Sequence, residues 1–183
     1  MIALGIWQLG RADEKAALIA NYEDKAALTE IVEIEEGSDD LVYRTVRLPC
    51  PEPRGWSAVA GRNARGQSGY AHRFICFYSP GFGFDGHTPP FFTYADIGWS
   101  TSPAQPKFEG GLVEGVLVGA GGNKYRVVAN APFAGLQTLA KPDPNDLPNN
   151  HLAYAGQWFF FALTALVIYW LALRRRRNGE SGD

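Results

Sequence analysis

Apolar positions in this chain fall into three textures. From Leu152 to Leu173 there is no Asp, Glu, Lys or Arg. At about 1.5 Å rise per helical residue that run matches the roughly 30 Å hydrocarbon layer of a bilayer, and it predicts one transmembrane helix. The opening MIALGIWQL is also apolar but stops at Gly10 and Arg11. At about 14 Å as a helix it is too short to span alone. It reads as the last turns of a first membrane helix whose beginning is missing, with Trp7 at the interface where indole rings collect. Helical periodicity continues to about Tyr22. At about 100° per residue, Trp7, Arg11, Lys15, Leu18 and Tyr22 share a stripe about 80° wide that carries both cations and aromatics.

Beyond Asp24 the texture changes to β-branched and aromatic runs broken by Gly, Pro and Asn, the pattern of strands and turns. Six strands are predicted: Thr29–Glu35, Leu41–Leu48, Tyr70–Tyr78, Phe91–Trp99, Leu112–Val118 and Tyr125–Ala129. Turn-rich stretches lie between them at Pro49–Gly55, Gly61–Gly69, Ser79–Pro90 and Gly119–Asn123. Short strands of this kind predict an antiparallel sheet or small barrel. The Pro-rich approach Lys141–Pro148 is incompatible with regular helix, and Asn149 or Asn150 can cap the helix that follows, which is expected to begin at Asn150 or His151. The organisation predicted is a membrane-anchored α+β chain: 1–24 as the end of a first membrane helix and an amphipathic helix, 25–149 as an external β-rich domain, 150–173 as a transmembrane helix and 174–183 as a basic tail.

Charge orients this arrangement. Arg174, Arg175, Arg176 and Arg177 follow the apolar run directly, so they mark the cytoplasmic side and leave the β-rich domain outside the cytoplasm. Taking them from the chain's 17 basic residues leaves an acidic remainder, which argues against nucleic acid as a partner. Cys50 and Cys76 are too far apart for a CxxC redox site or a zinc site. A disulfide is allowed in an oxidising compartment, though not the favoured reading; paired or not, they are expected to be small apolar residues in or near strands.

The residue with the most chemical promise is His151, in the first turn of the membrane helix, with Tyr154 and Trp158 on nearly the same face. A neutral imidazole at that boundary can ligate a haem iron, with the ring among aromatics and the propionates near Arg11 and Lys15. His, Tyr and Trp at a membrane edge also make an ordinary aromatic belt. Likewise Arg11 and Lys15, beside Asp13 and Glu14, also read as a solvated helix end with local ion pairs. His72, His87 and Asp85 suggest a hydrolytic group only weakly. With no GxSxG elbow, HExxH helix or phosphate-binding loop accompanying them, the histidines are expected to be surface loop residues and the chain not an enzyme.

Two terminal segments carry a resemblance. LGIWQLGRADEKAALI looks like the end of the first membrane helix in the surfeit locus protein 1 family. NNHLAYAGQWFFFALTALVIYWLAL resembles that family's second membrane helix, with His151, Tyr154 and Trp158 in corresponding places. Between them YRTVRL, GQSGY, GWSTSPAQP and VEGVLVG follow in order. In the family an Asn-Arg pair commonly precedes the Gly-Trp; here Asp96 and Ile97 stand there, removing a cation.

The resemblance implies two membrane helices flanking an external domain and a role in assembling haem-copper cytochrome c oxidase. It implies haem a as transient cargo, with His151 as the iron ligand and Trp7, Tyr154, Trp158, Arg11 and Lys15 around it. The implied partners are the oxidase catalytic subunit and the haem a synthesis machinery. The expected location is the bacterial cytoplasmic membrane, since no Arg- and Ser-rich transit peptide is visible, with the mitochondrial inner membrane as the alternative. A scaffold that binds oxidase subunits through sheet edges and membrane helices without touching haem is the rival expectation.

Overall fold

The computed structural model describes residues 1–34, 38–78, 91–122 and 124–179. The chain divides into two compact units, one formed by Met1–Ala20 with Leu147–Asp183 and the other by Asn21–Asp146.

The first unit pairs the start of helix α1 (Ile2–Ala27) with helix α2 (His151–Gly179). The α2 boundary falls where the Asn-Asn pair predicts it, and the Asn150 carbonyl accepts the Tyr154 N–H at 3.1 Å. The helices run antiparallel. Gly5 lies against Phe159, Gln8 against His151, and the Ala12 carbonyl accepts from Asn149 Nδ2 at 3.3 Å. Small residues let the backbones approach: Ala12 and Ala155 are buried, and a Cβ on Gly5 would sit 2.7 Å from the Phe159 ring. Among the described residues one helix is long and apolar enough to cross a membrane. Its most apolar window has a mean hydropathy of 1.7 and none of it is buried. Leu152, Phe160, Leu163, Leu166, Ile168 and Trp170 are all exposed, so α2 is apolar on every side, a pattern suited to lipid rather than water. Its one threonine is satisfied internally, Thr164 Oγ1 donating to the Phe160 carbonyl at 2.9 Å.

The second unit is a seven-stranded sheet: β1 (Val32–Glu33), β2 (Thr45–Cys50), β3 (Pro53–Arg62), β4 (Ser68–Tyr78), β5 (Phe91–Ser100), β6 (Gly111–Gly119) and β7 (Tyr125–Ala129), in the order β1-β2-β6-β7-β5-β4-β3. The sheet is mixed rather than antiparallel. The β6–β7 hairpin delivers β7 alongside β5 in the same direction, and β1 also runs parallel to β2. A seventh strand, β3, occupies part of the stretch expected to be turns. Its Ser57, Ala58, Ala60 and Gly61 give no apolar alternation, and the pairing with β4 shifts register between Arg54 and Ser57, beside Gly55 at φ 53°. The expected strand Leu41–Leu48 begins as a 3-10 turn, Ser38–Leu41, before β2.

The core lies on one face, with Ile34, Val46, Leu48, Phe74, Ala95, Ile97, Val113, Leu117 and Val127 packed together. Within it Cys50 and Cys76, buried on β2 and β4 as small apolar residues in strands are expected to be, are joined in a disulfide, the pairing that the sequence allowed but did not favour. Three strands separate β2 from β4 in the sheet, which on a flat sheet is about 19 Å at the usual strand spacing. The two Cα atoms are 4.8 Å apart, so the sheet curls until its inner face closes on itself.

Candidate functional site

In the helix pair, His151 Nδ1 lies 2.7 Å from Gln8 Oε1. An amide oxygen only accepts, so Nδ1 carries the proton and donates, and the Nε2 lone pair is left for an electrophile. The same arrangement, a ring N–H held by an oxygen, fixes tautomer and orientation in metal-ligating histidines. Gln8 was not singled out in the sequence because it is a lone amide in an apolar run. Its signal was position: it lies three residues from Gly5 and four from Ala12, on the stripe that packs against α2.

The other expected site residues lie on the same two helices and differ in exposure. Trp7 and Tyr154 are 57% and 52% exposed. Trp158, one turn beyond Tyr154 on α2, is half-buried and edge-on to Phe161, with centroids 6.2 Å apart. Lys15 is half-buried, whereas Arg11 is exposed and paired with Glu14, the local ion pair that its neighbours suggested. Among the described residues no group of three or more His, Cys, Asp or Glu could hold a bare metal ion. A haem asks less of the protein, because the porphyrin supplies four donors and one imidazole completes an axial position. The donor set present, one imidazole of fixed tautomer beside exposed aromatic faces, fits that requirement.

Asp85 and His87 lie outside the described residues. His72 is not a surface loop residue: it sits on β4 and is fully buried. The Trp56 indole N–H points to its Nδ1 at 3.4 Å, its Nε2 is 2.8 Å from Ser100 Oγ, and that hydroxyl donates to the Ser102 carbonyl at 2.6 Å. Both ring nitrogens are used, and burial pushes its pKa down, so it is a neutral structural imidazole.

Around it, the motifs that ran in order along the sequence become packing. A Cβ at Gly69 would meet Trp99 at 2.5 Å, and Trp99 Nε1 donates to the Gly61 carbonyl at 3.3 Å. Buried Asn63 closes the intervening turn by accepting the N–H groups of Arg65 and Gln67 at 3.0 and 2.9 Å. Ile97 faces the core at 0% exposure.

No curated protein matches the chain. A family model, that of the SURF1 family, matches residues 1–89, which takes in Gln8, α1 and strands β1 to β4 and ends before His151. The family is membrane-associated and supports cytochrome oxidase assembly in general terms; it is a family of assembly factors rather than a known enzyme family. Over residues 1–89, just under half of the chain, the sequence is similar to the SURF1 family.

Proposed function

We propose that this protein is a membrane-anchored, non-enzymatic assembly factor that holds haem a transiently on its way to the catalytic subunit of a haem-copper oxidase. The observation that carries the reading is the Gln8–His151 hydrogen bond, which presents Nε2 as a ligand at the first turn of an apolar helix. Trp7, Tyr154 and Trp158 offer the apolar faces for the macrocycle, and Arg11 and Lys15 the cations for its carboxylates.

The disulfide supports a placement of the sheet unit outside the cytoplasm, where thiols oxidise. That agrees with the Arg174–Arg177 run on the cytoplasmic side of α2. The membrane in this reading is the bacterial cytoplasmic membrane, with the mitochondrial inner membrane as its counterpart. The partners are the oxidase catalytic subunit and the haem a synthesis machinery.

Purification from cells that make haem a tests the proposal. Wild-type protein is expected to carry a haem a spectrum that His151→Ala lacks. Identical spectra from both remove His151 as the ligand. Co-purification of oxidase subunits with no pigment, retained in cells unable to make haem a, favours a scaffold that works through its strand edges, of which β3, paired only with β4, is the longer.

A further inference from the structure

The outer face of the sheet holds a charged cleft that the haem reading does not use. Strand alternation sets Arg73, Asp96 and Arg126 opposite the core residues Phe74, Ala95, Ile97 and Val127. Asp96, 1% exposed, takes both arms of Arg73, Nε to Oδ1 at 2.6 Å and Nη2 to Oδ2 at 3.0 Å. It also takes Arg126 Nη1 on Oδ2 at 2.6 Å. Two guanidinium groups thus share one carboxylate. Each keeps N–H donors that Asp96 does not use, since a guanidinium has five. Arg73 is further held over the Tyr94 ring, 5.6 Å from its centroid.

These groups line a cavity of about 480 Å³ with Arg62 and Lys141 at its rim. Gly61 and Ala120 keep its walls low. Four cations face Asp96 and Asp146, the two carboxylates in the lining, so the cleft carries a positive excess. The Arg73 and Arg126 side chains are 20% and 33% exposed, which leaves them open to a ligand while their geometry is fixed from below.

We infer that this cleft binds a small polyanion, a phosphate ester or a compact polycarboxylate, whose oxygens meet the free N–H groups of Arg73 and Arg126 and whose remaining charge is met by Arg62 and Lys141. The physical reason is charge accounting in a partly desolvated place. A second guanidinium on a buried, already paired carboxylate is favourable only with an anion or water on its open side, and fork-shaped donors suit carboxylate and phosphate oxygens. The volume falls in the range of small-molecule sites, about 300 to 1,000 Å³.

Calorimetric titration of the full chain in zwitterionic nanodiscs tests this, with pyrophosphate and citrate as separate probes. Binding of either at low ionic strength, weakened at higher salt, is expected. The stronger of the two identifies phosphate or carboxylate chemistry. Lys141→Gln and Arg62→Gln, both at exposed positions, are expected to weaken binding about tenfold each with an unchanged melting temperature. Arg126→Gln is expected to abolish it. No heat from either probe overturns the inference. So does binding that these substitutions leave unchanged. Neither outcome bears on whether His151 holds haem.

Discussion

At the scale of single residues, the two described histidines illustrate opposite uses of one side chain. His72 has both nitrogens committed and a depressed pKa caused by burial. The folded state therefore takes up a proton less readily than the unfolded chain, whose histidine titrates near 6.5. Stability from this group is complete above that value and is lost as pH falls below it toward the depressed folded-state pKa. Thermal melts between pH 8 and pH 5 check this, and His72→Gln is expected to flatten that part of the profile. His151 keeps one nitrogen free. Gln8→Leu is expected to release its tautomer, so that nitrogen NMR of labelled histidine shows protonation at both ring positions where the wild type shows Nδ1 alone. A third residue, Asp96, is expected to destabilise the sheet by about 2 to 3 kcal/mol when changed to Asn. Two guanidinium groups then lose their counter-charge, and their partial exposure limits the loss; urea unfolding measures it.

At the scale of elements, close helix approach depends on what α1 lacks. Gly5→Ala is expected to weaken pairing with α2 because its Cβ meets the Phe159 ring at 2.7 Å, and Phe159→Ala in the same chain is expected to relieve part of that loss. A double-mutant cycle from unfolding in mixed micelles gives the coupling. Helix α2 was legible in the sequence because an uncharged run of membrane length has one structural solution, and its start was legible from the Asn pair. Strand β3 was not. Its small and polar residues are held by pairing with β4, and tertiary pairing leaves no mark on hydrophobic alternation. The parallel β5–β7 contact escaped for a related reason, since it depends on where a hairpin docks rather than on either strand's composition. Of the candidate site, His151 was readable from its place in the helix. Its partner Gln8 was not, because nothing in a single apolar run distinguishes an amide that faces a second helix from one at the membrane edge.

At the scale of the whole molecule, the disulfide closes a loop between residues 26 apart. Chain-entropy arguments assign such a loop about 3 kcal/mol. Cys50→Ala with Cys76→Ala is expected to lower the stability of the sheet unit by roughly that amount, read as a fall in the urea midpoint. The unreduced chain serves as the reference. Neither cysteine was readable as half of a pair, because the curl that brings β2 to β4 is a property of the entire sheet.

The helix unit draws on both flanks of the sheet unit in chain order, and this sets a schedule for biosynthesis. Gln8 leaves the ribosome more than a hundred residues ahead of His151. The strands and their cystine lie between, free to fold and oxidise while the amide still waits for its imidazole. The hydrogen-bonded Gln8–His151 pair therefore comes into being only after translation has passed α2. A nascent or prematurely terminated chain can present a finished sheet to other proteins but not the Gln8–His151 pair, so under the proposed role haem loading is confined to molecules whose second helix is complete.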